Sequence, residues 1–385
     1  VTIPMMKKTG YPPEFAGAVE AASSTGGQIM PPIMGAAAFI MAEMTGYEYS
    51  DIIVRAILPA FLYFLGIFLG VHFKAKKLGL VGLKREELPK WKLLLPKIYL
   101  LLPLIILTWM VIAGQTMAKS AIYGTIVAIV VGIINKDDRM TPTKFVNGLE
   151  NGGKNCLSIG IACGIAGIIS VCITMTGLGG KLITYVVKLS NGHLFIALFL
   201  TMICCIILGM GVPTTANYII MASTCAPILI NGMGMHILAA NMFVFYFGIV
   251  ADITPPVALA AYAGAAIAKA PPMKTALNAT RLAIAAFIIP YIFAYNNAMI
   301  FVGDVTFLGV TSIVISATLG MASIASGFMG YLIHDLKWYS RIALIAGGLL
   351  MVIPGTVTDL AGLAILIVIL LIQRAENKKE KKAAV

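Results

Sequence analysis

Charge is scarce in this sequence. Only 11% of its 385 residues are Asp, Glu, Lys or Arg, and 59% are hydrophobic. A soluble chain of this size could not hide so much apolar surface from water. Apolar runs recur instead at about the length that spans a bilayer. The apolar/polar alternation of a membrane β-barrel is missing, since Ile52–Phe73 is apolar on every face. Backbone groups inside lipid must bond within their own segment, so the runs predict helices and an all-α integral membrane fold.

Other absences narrow the function. The six cysteines, Cys156, Cys163, Cys172, Cys204, Cys205 and Cys225, show no CxxC or Cys/His spacing. They read as small buried hydrophobes rather than as a disulfide or metal framework. His72, His193, His236 and His334 all fall at predicted span ends, which points to the interface and to no transition metal. There is no HExxH, no GxSxG and no usefully spaced aspartyl pair, so a membrane-embedded enzyme has no motif in its favour. No cofactor is implied. The net charge is +12, but no soluble basic domain exists to hold nucleic acid. The basic residues sit in short loops and at the C-terminus, as expected of loops facing anionic lipid headgroups. The chain starts at Val1 without signal-peptide regions, and we expect an N-terminal portion to precede it.

The predicted spans are Phe15–Met44, Ile52–Phe73, Ile98–Gln115, Lys119–Asn135, Asn155–Thr176, His236–Ala268, Leu277–Tyr295, Phe307–Ile333, Trp338–Ile353 and Thr358–Ile372. Lys136–Lys154 is polar and predicts a surface helix starting near Thr141-Pro142. Gly177–Gly192 is too polar to cross and predicts an interfacial segment. Leu194–Met210 and Pro213–Ile230 form two apolar limbs around a polar tip, Gly211–Asn217. The basic tail, Gln373–Val385, reads as disordered.

Charge bias orients these spans. With the tail inside, the loops His334–Arg341, Lys269–Arg281, Lys136–Lys154 and Lys74–Lys97 are also inside, and all carry Lys or Arg. Glu43–Asp51 and Ala298–Thr306 are outside and carry only acids. The count closes only if Leu194–Ile230 is a re-entrant hairpin. Lys119, Lys181 and Lys188 are exceptions.

The most informative pattern is internal. Gly10 to Pro31 is 21 residues, and so is Gly234 to Pro255. Each pair brackets an apolar half-helix, a polar break and a Pro-Pro: Gly26-Gly27-Gln28-Ile29-Met30-Pro31-Pro32 in one copy, Val250-Ala251-Asp252-Ile253-Thr254-Pro255-Pro256 in the other. A half-helix of small residues follows each. The charge-derived topology runs the copies in opposite directions. Broken helices at matching points of inverted repeats mark a transporter's midplane site.

The physics is direct. Two prolines stop a helix, and the carbonyls upstream lose their partners. In lipid that costs several kcal/mol per group unless a cation or polar cavity takes them up. Such carbonyls, with Thr or Gln oxygens, suit Na⁺; the N-terminus of the next half-helix suits a carboxylate. A Pro kink used only for packing is the plainer alternative, which two breaks in register disfavour.

The run Gly17-Ala18-Val19-Glu20-Ala21-Ala22-Ser23-Ser24-Thr25-Gly26-Gly27-Gln28-Ile29-Met30-Pro31-Pro32-Ile33-Met34-Gly35-Ala36 resembles the large membrane subunit of TRAP transporters, specifically TAXI-type fused permeases. So do Leu208-Gly209-Met210-Gly211-Val212-Pro213-Thr214-Thr215-Ala216-Asn217-Tyr218 and Phe247-Gly248-Ile249-Val250-Ala251-Asp252-Ile253-Thr254-Pro255-Pro256-Val257. The last three spans look like the C-terminal extension of fused permeases. The resemblance implies a Na⁺-coupled, elevator-type importer of carboxylates in the cell (inner) membrane. Its partners would be an extracytoplasmic substrate-binding protein and a small membrane subunit or fused N-terminal equivalent. Cation sites would fall on Gly26, Gly27, Gln28, Pro31, Gly211, Val212, Pro213, Asp252, Thr254 and Pro255. Substrate would meet Thr214, Thr215, Asn217 and Pro256. The first hairpin's Ser/Gly-rich tip has no counterpart here, and Val1–Met6 looks like the end of its outgoing limb.

Several residues keep two readings. Asp252 serves a cation site or gate, or bonds a freed backbone group. Thr214, Thr215 and Asn217 cap the hairpin's outgoing limb, touch substrate, or do both. Glu20 caps a helix or lines an interface, Glu43 is solvated, and Arg55 and Arg281 snorkel. The chain divides into 1–135, the end of a first inverted repeat; 136–295, a second repeat with its hairpin; 296–373, a C-terminal transmembrane extension; and 374–385, a basic cytoplasmic tail. A stand-alone carboxylate/Na⁺ symporter, a channel and a membrane-embedded enzyme remain alternatives.

Overall fold

The computed structural model describes residues 2–82, 95–135, 139–303, 305–352 and 355–383. They form helices α1 (Thr2–Lys8), α2 (Pro13–Gly26), α3 (Ala36–Thr45), α4 (Tyr49–Lys77), α5 (Leu102–Ile112), α6 (Met117–Ile134), α7 (Pro142–Met175), α8 (Leu178–Ser190), α9 (Leu194–Gly209), α10 (Thr214–Thr224), α11 (Ile237–Ala251), α12 (Leu259–Ala268), α13 (Pro272–Leu282), α14 (Ile284–Tyr295), α15 (Phe307–Met329), α16 (Trp338–Val352) and α17 (Thr356–Ala383). The fold is all-α. Among the described residues the only β-type pairing is a single bridge, Tyr331–Asp335.

Among the described residues, five segments are long and apolar enough to cross a membrane: Tyr49–Lys77, Leu95–Ile112, Pro272–Tyr295, Phe307–Met329 and Val357–Glu376. Several apolar helices are too short to cross alone, including α3, α9, α11 and α12. That is the length distribution expected when spans are broken midway. Large apolar side chains such as Trp109, Ile112 and Phe68 stay exposed, which suits a surface solvated by lipid.

One hydrophobic core draws on α2, α3, α4 and α9 through α15. At its centre α11 is buried on all faces from Leu238 to Ala251. Such a helix belongs in the middle of a bundle. Helices α15, α16 and α17 pack on one another, with a small core of their own at Leu336, Leu344, Leu366 and Ile369.

Most predicted boundaries hold within a few residues, with four differences. The surface helix and the span after it are one helix, α7, because no proline separates them and Glu150 and Lys154 pair across one turn at 2.6 Å. The tail is helical to Ala383. It continues α17 because Gln373 accepts from the Ile333 and His334 N–H groups at 3.1 and 3.0 Å, and Glu376 pairs with Lys337 at 3.1 Å. Cys205 and Cys225 are buried as expected, but Cys156 and Cys172 are exposed, on a helix that packs mainly against α10. Arg55 does not snorkel: its Nη1 donates to the Phe301 carbonyl at 2.7 Å, and its guanidinium lies over the Tyr47 ring. Residues 83–94 of the basic loop Lys74–Lys97 and the side chain of Cys163 lie outside the described residues.

Candidate functional site at two crossed helix breaks

The two breaks are built alike. Gly10 and Gly234 both have positive φ, at 100° and 67°. Pro31-Pro32 and Pro255-Pro256 are both cis. Met34 and Ala258, each two residues beyond the second proline, both adopt the left-handed conformation, with φ of 50° and 36°. One constant offset in sequence relates all these pairs and also relates Gln28 to Asp252. The Gln28 carbonyl accepts from the Gly35 N–H at 2.8 Å, and the Asp252 carbonyl from the Ala260 N–H at 3.0 Å. Each loop is thus closed onto the first turn of its next half-helix.

The breaks cross in opposite senses. The entering half α2 packs against the leaving half α12, and the leaving half α3 packs against the entering half α11. Two segments crossing antiparallel produce that pairing; parallel ones would match entering with entering. The flanking elements obey the same exchange. The short helix α1 packs on α2 and α12, and the hairpin limb α10 packs on α11 and α3.

The sequence predicts that carbonyls above each Pro-Pro are left without partners, and here the structure differs. Tight turns and hydroxyls retake most of them. The Thr254 hydroxyl donates to the Val250 carbonyl at 2.8 Å, and Thr280 donates to Ile253 at 3.0 Å. Tyr262 donates to Pro256 at 2.5 Å. In the first break Tyr49 donates to Pro32 and Ile33 at 3.1 and 2.9 Å, and Tyr63 donates to Ala22 at 2.7 Å. Tyr49, Tyr63, Tyr262 and Thr280 were therefore missed by sequence reasoning. They lie outside the motifs, and only tertiary packing brings their hydroxyls to the breaks.

What stays unsatisfied is side-chain oxygen. Gln28 Oε1 and Asn217 Oδ1 are buried without a hydrogen-bond partner. Buried amide oxygens rarely go unmatched without a functional reason. Asn217 is 1% exposed and donates its Nδ2 to the Gly248 carbonyl at 3.0 Å, which fixes which end of the amide carries the orphan oxygen. Asp252 is half-buried, and among the described residues its carboxylate has no hydrogen-bond or ion-pair partner.

The hairpin lies beside the second break. Gly211, with φ of 76°, has its would-be Cβ 3.8 Å from Val257. Gly209 fits only because it lacks a side chain; a Cβ there would stand 2.7 Å from Asn217 Nδ2 and 2.8 Å from Ala251. The capping role of Thr214, Thr215 and Asn217 is not what forms: α10 starts after Pro213 with no side-chain cap, and Asn217 reaches across to α11. Thr215 is buried, Thr214 and Val212 are half-buried, and Gly211 and Pro213 are exposed at the tip. In the first break Gly26 is buried where the Tyr63 ring fills the space a Cβ would need, and Gly27 is exposed. Pro31 and Pro255 are half-buried and Pro256 is exposed. Glu20 accepts from Thr2 and Ser24 on α1 and α2, so it ties the first helices together, and Glu43 is exposed.

A helical membrane protein whose centre is two broken helices crossing antiparallel beside a helical hairpin has the architecture of a secondary transporter. The chain belongs to the family of the tripartite ATP-independent periplasmic transporter, DctM component, whose model matches residues 1–308. It is the multi-pass permease component of such a transporter. No curated protein matches it.

Proposed function

We propose that this permease imports small carboxylates by an elevator-type movement coupled to a sodium gradient, in the manner of the TAXI type. The reading is carried by the pair of breaks in register, crossing in opposite senses, with Gln28 in one and Asn217 beside the other holding buried unmatched oxygens. Amide and carboxylate oxygens are hard donors of the kind Na⁺ takes. Gln28 and Asp252 are the side chains that would hold it, with backbone of Gly26, Gly27, Pro31, Gly211, Val212, Pro213, Thr254 and Pro255 around them. The unmatched oxygen of Asn217, expected from the sequence to meet substrate, would be a further donor. The N-termini of α10 and α12, with Thr214, Thr215 and Pro256, would meet the substrate carboxylate.

The partners of this reading are an extracytoplasmic binding protein and a small membrane subunit or its fused equivalent. The location is the inner membrane, with the C-terminus in the cytoplasm. The division into a first repeat ending at 135, a second at 136–295 and an extension at 296–373 belongs to the same proposal. The test is uptake of radiolabelled carboxylates by the complete complex in liposomes, with binding protein outside. We expect uptake to require both the binding protein and an inward sodium gradient. Equal uptake with sodium on both sides or absent would overturn the coupling.

A further inference from the structure

A small cavity with several polar groups on its wall lies where the helices beyond the family match meet α14. It has a volume of about 210 Å³ and lies between the ends of α14 and α16, the middle of α15 and the first turn of α17. Its wall includes Asn296, Ser312, Ser316, Met351 and Asp359. Ser316 Oγ stands 2.5 Å from an Asp359 carboxylate oxygen and 2.8 Å from the Met351 carbonyl oxygen. The two groups beside the Ser316 hydroxyl, the Met351 carbonyl and the Asp359 carboxylate, can only accept, and the hydroxyl has one proton. Three oxygens thus share a single hydrogen, and lone pairs converge on the cavity.

The same wall carries apolar side chains, Ile292, Ile313 and Val352. Phe307 and Leu308, at the start of α15, are 86% and 81% exposed, as befits side chains in lipid. Ser316 lies about 14 Å further along the helix at about 1.5 Å per residue. The Asp359 carboxylate that meets it is half-buried in the first turn of α17, at the start of the apolar segment Val357–Glu376. Among the described residues it has no ion-pair partner. An acid at the start of an apolar span, with no basic partner to neutralise it, can take a cation.

We propose that Asp359, Ser316 and the Met351 carbonyl bind a monovalent cation, Na⁺, in the C-terminal helices. A divalent ion is disfavoured, because such ions gather several carboxylates and this site has one, offset by the positive end of α17. The site is separate from the crossed breaks and does not rest on the function proposed for them.

The test uses the purified full chain in lipid nanodiscs. Thermal unfolding is titrated with NaCl at constant ionic strength against choline chloride. We expect a Na⁺-dependent rise in Tm in the wild type. Ser316→Ala should raise the half-saturating Na⁺ of one component at least tenfold, and Asp359→Asn should abolish that component. The same loss should appear in a Gln28→Leu background, so failure of the central site leaves this one readable. A folded Asp359→Asn protein with the wild-type Na⁺ response overturns the proposal. So does a wild type whose Tm responds to pH but not to Na⁺. If Asp359→Asn does not fold, the Ser316→Ala titration decides alone: an unshifted curve overturns the site.

Discussion

Gly17 and Gly264 meet backbone to backbone: a Cβ on Gly17 would stand 2.8 Å from the Gly264 carbonyl oxygen, and one on Gly264 would stand 2.6 Å from that of Gly17. The contact joins the entering half of one broken helix to the leaving half of the other. Neither backbone can move aside as a flexible side chain would. Small residues at such crossings are what lets membrane helices approach closely.

Gly17→Ala and Gly264→Ala should therefore each destabilise the protein. Overpacking of this kind costs roughly 1–3 kcal/mol. Denaturant unfolding of the purified protein in mixed micelles measures it. Stability equal to wild type in both variants would mean that the helices separate freely, and the crossing would lose its rigidity.

Gln28→Leu separates function from folding. The Gln28 side-chain oxygen has no partner in the protein, so its removal breaks no internal bond through that atom. We expect an unchanged or slightly raised Tm, and a half-saturating Na⁺ for uptake raised about tenfold, equivalent to roughly 1.4 kcal/mol. Normal sodium dependence would remove Gln28 from the site.

Thr280→Val tests how the second break is held. The Thr280 hydroxyl shares its proton between the Ile253 carbonyl and the Ala276 carbonyl of its own helix, each at 3.0 Å. Valine keeps the volume but leaves the Ile253 carbonyl unmatched, at a cost of about 1–3 kcal/mol. A stability measurement within error of wild type would show that the carbonyl finds another donor.

His236 gives the fold a pH dependence. It precedes α11, accepts from the Leu238 N–H through Nδ1 at 3.3 Å, and lies 3.2 Å from the Tyr47 hydroxyl through Nε2. Partial burial, and then the nearby Arg55, lower its pKa. The unfolded chain therefore binds this proton more readily than the folded one. The stabilisation is fully present above the unfolded value of about 6.5 and is lost as pH falls through the lower folded value. Tm should fall on acidification below about pH 6.5, and His236→Asn, which keeps a cap, should flatten that slope. An identical pH profile in the variant would assign the effect to another group.

Much of this was legible along the chain. Low charge and long apolar runs determined a helical membrane protein, because lipid leaves the backbone no other option. Pro31-Pro32 and Pro255-Pro256 marked both breaks, because proline stops a helix wherever it falls. Equal spacing from Gly10 and Gly234 exposed the repeat, and the hairpin motif fell where α9 and α10 turn. What the sequence could not determine was which hydroxyl meets which carbonyl. Tyr63 reaches Ala22 and Thr280 reaches Ile253 across helices. Arg55 is captured by Phe301, and Gln373 holds the chain helical past its apolar run. Those bonds depend on distances between segments far apart in the chain, and only tertiary packing sets them.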